Sequence, residues 1–484
     1  MTDTPHTLEL RLGEVAHGGH VVARTAEGRV VFVRHGLPGE LARVALTDRQ
    51  PDASYWRGDV VEVVDPAPGR REHHVWPLAD ALLAAAEGRA PVGGAEFGHA
   101  DLATQRELKR RVLAEQLSHL AGHEWEGRVL PIEGETPDGT GWRTRLHLDV
   151  AADGTPGMHP HRSNELVTLQ DMPLASAPIQ ALAPWALRFE GAERVDVSAP
   201  SNGRTPLLHV SLRADADERQ LDALRAQLGE WGAAHGVSVT ARSADHRRVA
   251  TWAGSGEVLE TLEWPVSADA SGETAQPLQW RVSPTGFWQI HRAAPAALAR
   301  TVLAGADLRE GDTVWDLYSG AGLFTAVAAR AVGESGAVFA VEGSPVTSAD
   351  AAHNLAHAPH VSSVRGDVAR VLTGRGGRVR GDHRRGDHRR RGSRAASSAG
   401  GQAPPRPDVV LMDPPRAGAA KEVLAAVDQA GPRTIVYVAC DPAALGRDLG
   451  RLRRRGWKVE DVTALDLYPN THHVEAVAVL RRDA

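Results

Sequence analysis

DTVWDLYSGAGLF (residues 312–324) decides the fold. A β-favouring apolar run ends at Asp316 and Leu317, Gly320 and Gly322 follow, and a helical pattern opens after them. A strand, a tight glycine turn and a helix start make the opening of a parallel α/β unit. Outward from it, GAVFAVE (336–342), DVVLMDPP (408–415) and RTIVYVAC (433–440) repeat the strand signal between helical segments. The pattern predicts a doubly wound, Rossmann-like domain over residues 271–484, within a multi-domain α/β (α+β) chain.

The glycines let the backbone approach a ligand with no Cβ in the way. Glu342 lies 26 residues after Asp316 and ends the next strand, where a carboxylate can accept from a ribose diol. Asp367 ends the following element, within reach of an adenine amino group. These residues predict an adenosine ligand in a crevice at the strand ends. The spacing is not G-x-G-x-x-G, and no G-x-x-x-x-G-K-[ST] cradles a triphosphate. A sulfonium suits the acidic Asp316 and Glu342, so S-adenosyl-L-methionine is the expected cofactor.

The chain has 484 residues, enough for about three domains. Its 42% hydrophobic and 24% charged content is that of a globular protein, and no apolar run approaches the ~20 residues of a membrane span. MTDTPHTLEL shows no secretory pattern, and one cysteine excludes an intramolecular disulfide framework. A cytoplasmic monomer without a membrane partner is therefore expected. The net charge of −6 conceals residues 374–407, where ten Arg and two Asp give +8 and leave about −14 elsewhere. That stretch has almost no aliphatic residues and is expected as a disordered basic insertion.

Residues 1–67 read as a small β-barrel of OB type, from five short β-rich runs punctuated by Gly13, Gly18, Gly19, Gly28, Gly36 and Gly39. Residues 68–270 read as a mixed α+β domain, entered through a helix over 99–121 with Leu108, Val112 and Leu117 on one face. That helix is expected to pack on the doubly wound domain over 271–484.

Cys440 is the lone cysteine, at the end of a strand run and before a Pro-initiated helix. Asp413 precedes it by 27 residues and Glu475 follows it by 35. A lone cysteine is by default a small buried hydrophobe. Its neighbours argue otherwise. SPTGFWQIH (283–291), DLYSGAGLF (316–324), MDPPRAG (412–418), YVACDPAALGRDL (437–449) and DLYPNTHHVE (466–475) stand in order along the chain. Together they resemble the RNA uracil-5-methyltransferases, which make 5-methyluridine in tRNA or ribosomal RNA. The barrel, with GHVVARTAEGRVVFVRHGLPGE (19–40), resembles that family's TRAM module, and WRTR (142–145) resembles an element that contacts RNA.

The resemblance implies an RNA partner, Cys440 as nucleophile, Glu475 as base and Asp413 on the uracil edge. It implies cofactor contacts from Gln289, Asp316, Tyr318, Gly320, Gly322, Glu342, Asp367 and Asp413, and RNA contacts from Arg143, Arg145, Gln289 and Arg416. The chemistry agrees. Uracil C5 is a poor nucleophile until a thiolate adds to C6, and a base must then remove the C5 proton. Many relatives hold an iron–sulfur cluster through four cysteines. Here Ala95 stands where one would be, so neither cluster nor metal is expected. Ser319 replaces a frequent Cys and His291 a frequent Asn. The rival reading, a non-catalytic RNA-binding protein on a retained methyltransferase scaffold, would be favoured by loss of the thiol or the late carboxylate, and both are present.

Deleting residues 376–404 is expected to preserve folding and chemistry and to flatten the salt dependence of RNA binding. Cofactor affinity, thermal stability and a salt titration check it.

Overall fold

The computed structural model describes residues 6–50, 52–263, 277–374 and 404–482. The expected basic insertion lies, over residues 375–403, outside the described residues.

Five strands, Thr7–Val15, Val21–Arg24, Val30–Arg34, Leu41–Asp48 and Tyr55–Asp65, close into a barrel. The first strand pairs antiparallel with both the second and the fourth, which closes the ring. Period-2 alternation puts Leu10, Leu12, Val31, Val33, Val44 and Val60 inside. Each such side chain contributes about 1.5–3 kcal/mol by burial. Later in the chain, a seven-stranded mixed sheet runs from Val249–Ala253 at one edge to Val167–Thr168 at the other.

The catalytic sheet has eight strands. In spatial order they are Val361–Arg365, Ala337–Glu342, Thr313–Leu317, Val409–Met412, Thr434–Ala439, Glu475–Arg481, Lys458–Leu465 and Val129–Leu130. The first five are mutually parallel. The strand order reverses between Thr313–Leu317 and Val409–Met412, which opens a crevice at their C-terminal ends. Central strands bury both faces, as Ile435, Val436, Tyr437 and Val438 do.

Among the described residues, two strand pairings and the bridge between Arg143 and His291 cross the boundary at 270. Val129–Leu130 extends the catalytic sheet from within the 68–270 range. Val258–Leu262 pairs antiparallel with Leu278–Val282, and Leu262 and Trp280 join the apolar cluster of Leu298 and Phe324. The catalytic body thus draws on chain N-terminal to residue 271, because pairing across distant segments leaves no mark in local composition.

The helix expected over 99–121 runs Leu102–Gln116, with the Asp101 side chain accepting from the Thr104 amide, and continues as a π-turn over Leu117–Ala121. Leu108 and Val112 pack with barrel residues Val15 and Leu37. Leu113 and Leu117 enter the catalytic core. The helix therefore bridges barrel and catalytic body. Its C-terminal end approaches the helix Pro442–Arg453 closely: a Cβ on Gly446 would lie 2.5 Å from the Gln116 carbonyl oxygen.

The same helix buries polar groups that an amphipathic reading does not anticipate. Lys109 Nζ donates to Asp466 Oδ1 at 2.6 Å and to the Tyr468 carbonyl at 3.0 Å. Both charged side chains are 0% exposed. Gln105 Nε2 donates to Asn470 Oδ1 at 2.9 Å, and the Asn470 amide donates to Gln105 Oε1 at 2.7 Å. Lys109→Met leaves the buried Asp466 with Arg106 as its remaining partner. The expected cost is about 3 kcal/mol, read from urea unfolding, with partial recovery in Lys109→Met/Asp466→Leu.

Candidate active site

The crevice is built from strand ends. Asp316 precedes the turn, and its Oδ2 accepts from the Thr325 hydroxyl, while Oδ1 is buried without a protein partner. Tyr318 turns the chain at φ 66, left-handed backbone that a bulky residue adopts only under constraint. The Gly320 amide donates to Glu342 Oε2 at 2.9 Å, and the Ser344 amide to Oε1 at 2.6 Å. Each carboxylate oxygen keeps a lone pair for a ligand. A Cβ on Gly320 would meet nothing within 4 Å, so the turn borders open space. Asp367 caps the helix Val368–Thr373 by accepting from the Arg370 amide at 2.9 Å.

Electrostatics favours a cationic guest here. Burial, reinforced by the nearby Glu342 charge, raises the Asp316 carboxyl to about 7. Burial and Asp316 raise Asp413 to about 7 as well. A positive charge among them relieves both. The unpaired Asp316 oxygen, the open space at Gly320 and the acidic lining all fit adenosylmethionine.

Sheet topology brings the remaining groups to the same edge. Asp413 follows the strand Val409–Met412, and Cys440 follows Thr434–Ala439. Glu475 starts its strand instead of ending it, but that strand runs antiparallel, with Ala439 opposite Ala476. The register places Glu475 beside Cys440. Their mutual influence shows the proximity: burial, then Glu475 and Asp413, push the Cys440 thiol up to about 11, against Arg416. Burial and Asp413 raise Glu475 to about 8, countered by Tyr468 and Arg416. Tyr468 Oη donates to Glu475 Oε2 at 3.2 Å.

Cys440 is half-buried and borders a cavity of about 80 Å³ shared with Arg416, His473 and the barrel turn His17–Gly19. His17 Nε2 lies 3.3 Å from Asp441 Oδ2, next to the thiol, and that hydrogen bond raises His17. A Cβ on Gly19 would lie 2.5 Å from His472 Cβ, so only glycine admits this approach. The exposed Arg416 donates to His473 Nε2 at 3.3 Å.

The SPTGFWQIH segment is fastened to the glycine turn and to WRTR. Trp280 Nε1 donates to the Gly322 carbonyl at 3.2 Å and packs against Trp288. Gln289 is buried beside it. The Thr144 amide donates to the Ile290 carbonyl at 2.8 Å, and Trp142 stacks on His291 at 5.6 Å between centroids. Arg145 donates to the Gly286 carbonyl at 3.1 Å and lies 3.6 Å from Glu260, and Arg143 Nε donates to the Arg145 carbonyl at 2.8 Å. Arg145 thus supports the segment from below, with a side chain 11% exposed. His17, Tyr468 and His473 are neighbours of the thiol and base that sequence reasoning did not single out. Two of them stand inside the quoted DLYPNTHHVE, but nothing local shows which residue meets Glu475.

Among the described residues no group of three or more His, Cys, Asp or Glu side chains could hold a metal ion. Ala95 is fully buried in the central apolar cluster with Trp76, Val92 and Trp142.

A reversed parallel sheet with acids at its strand ends and an open glycine turn defines the class: an adenosylmethionine-dependent methyltransferase. Comparison with known proteins gives the family. The model described as tRNA (Uracil-5-)-methyltransferase matches residues 405–483, and that of the TRAM domain matches residues 6–61. An uncharacterized RNA methyltransferase of Streptomyces avermitilis is 34% identical over 98% of this chain and 97% of its own. The 23S rRNA (uracil(1939)-C(5))-methyltransferase RlmD of Chromohalobacter salexigens is 30% identical over 98% of this chain and 89% of its own. The crystal structure of Pyrococcus abyssi tRNA (uracil-54, C5)-methyltransferase with S-adenosyl-L-homocysteine shares the fold, with a TM-score of 0.62 at 17% identity over 98% of this chain and 100% of that one. The chain belongs to the RNA uracil-5-methyltransferase family.

A thiol raised to about 11 is almost wholly protonated at neutral pH. Alkylation of Cys440 by iodoacetamide in the free protein is therefore expected to be slow at pH 7. It should quicken roughly tenfold per pH unit towards the thiol pKa. Mass spectrometry of the single cysteine across pH reads it directly.

Proposed function

We propose that this protein methylates C5 of a uridine in RNA through a covalent bond between Cys440 and C6. The observation that carries the reading is the register of Ala439 against Ala476, which sets a thiol and a buried carboxyl on one sheet edge beside Asp413. Asp316, Gly320, Glu342 and Asp367 would hold adenosylmethionine, which supplies the methyl group.

The residues divide the work. The Cys440 sulfur bonds to C6 as its proton leaves to water, and the C5–C6 double-bond pair moves into an enolate. Arg416 beside the thiol favours the thiolate. Asp413, raised to about 7, can donate to a ring oxygen when protonated or accept from N3–H when ionised. After C5 is methylated, Glu475 takes the C5 proton. The freed electron pair re-forms the double bond and expels the thiolate. A carboxyl raised to about 8 is a much stronger base than a solvated one, which suits removal of a carbon-bound proton. Arg143, Arg145 and Gln289 complete the set assigned to RNA and cofactor by family resemblance, with Arg416 the exposed member. The TRAM-type barrel, whose turn reaches the thiol cavity, supports RNA as the substrate class.

Cys440→Ala is expected to abolish methyl transfer to bulk RNA while leaving adenosylhomocysteine affinity within about twofold, since the groups assigned to adenosine are Asp316, Gly320, Glu342 and Asp367. Full activity in the variant would sink the covalent reading. Glu475→Gln is expected to form the methylated RNA adduct and release it slowly, visible as a retained band on a denaturing gel. Mapping 5-methyluridine in cells with and without the protein identifies the target.

A further inference from the structure

Tyr468 and Glu475 belong to one connection, which leaves the strand Lys458–Leu465 and returns as Glu475–Arg481. The Tyr468 hydroxyl donates to Glu475 Oε2 at 3.2 Å, which leaves the other oxygen to accept a proton. The ring is held edge-on by Trp142, at 6.2 Å between centroids, and by His473, at 5.9 Å. The Tyr468 carbonyl accepts from Lys109 Nζ at 3.0 Å and from the Thr471 hydroxyl at 2.9 Å. Lys109 is itself fixed by the fully buried Asp466, two residues before the tyrosine. The hydroxyl that touches the base is thus anchored through its own backbone to the bridging helix Leu102–Gln116.

We infer that Tyr468 is the positioning residue of the general base: its hydroxyl, anchored by Lys109, holds the Glu475 carboxylate in place and favours its ionised form for removal of the C5 proton. This rests on the covalent reading above. The charges facing Glu475 oppose one another. Burial and Asp413 favour its protonated form, whereas Tyr468 and Arg416 favour the carboxylate. Tyr468 in turn faces Cys440 and Asp413 besides Glu475, and its own ionisation is pushed far up by burial, so at working pH it acts as a donor. A hydrogen bond to a carboxylate stabilises the charged form. Without it, Glu475 stays protonated to higher pH, and the step that needs it ionised moves with it.

The test is Tyr468→Phe, which keeps the ring and removes the donor. Wild type, Tyr468→Phe and Glu475→Gln are mixed with adenosylmethionine and bulk RNA from cells lacking the enzyme. Adduct formation and adduct release are then followed separately across pH. For Tyr468→Phe the expected result is adduct formation within about twofold of wild type, release slowed about tenfold at neutral pH, and a release midpoint about one pH unit higher. Raising the pH should recover most of the loss. Release with an unchanged midpoint overturns the inference. So does a pH-independent loss accompanied by lost adenosylhomocysteine binding, which would assign the tyrosine to packing alone. Glu475→Gln separates the two levels. If it traps the adduct while Tyr468→Phe releases normally, only the tyrosine assignment fails. If Glu475→Gln also turns over normally, the covalent reading with Glu475 as base fails, and this inference with it.

Discussion

The buried contact between Lys109 and Asp466 is the constraint on which the site depends. An ammonium and a carboxylate removed from water are tolerable only when each meets the other and further polar groups. Lys109 meets Asp466 and the Tyr468 carbonyl, and Asp466 also accepts from Arg106. One turn away, Gln105 and Asn470 exchange two hydrogen bonds, and Asn470 holds a left-handed φ of 67. These groups fasten the connection 466–475 to a helix that also packs on the barrel and the doubly wound domain by apolar contacts. Because that connection ends in Glu475, its placement fixes the carboxyl against the thiol. The linker helix therefore does more than join domains.

Topology accounts for the electrostatics. Parallel strands deliver their C-terminal residues to one edge, and Asp316, Glu342, Asp413 and Cys440 all follow or end such strands. The antiparallel return of Glu475–Arg481 adds one more acid at the same edge. Packed together and partly desolvated, Asp316, Asp413, Glu475 and the thiol are all shifted towards their neutral forms. Ionising such a cluster is costly until a cation or a hydrogen-bonding ring enters. The barrel turn closes over the thiol from the far side, with Gly19 against His472 and His17 against Asp441.

The sequence by itself determined the elements and the order of the motifs along the chain. The barrel strands were legible because alternation over short runs reports burial directly, and glycines marked their turns. The doubly wound domain was legible because both-face burial writes continuous apolar runs, such as Thr434–Ala439. Ordered motifs identified Cys440, Asp413 and Glu475, since each motif is short and contiguous. Tertiary structure alone decided which of these meet. A pairing register is not written in either strand, so the approach of Glu475 to Cys440 required the fold. The extra sheet edge at Val129–Leu130, the His17 contact and the bond from Lys109 to the Tyr468 carbonyl likewise join segments far apart in the chain. Lys109 and Gln105 read locally as ordinary solvated helix residues. Partners more than 350 positions away, Asp466 for Lys109 and Asn470 for Gln105, help to make their burial stable.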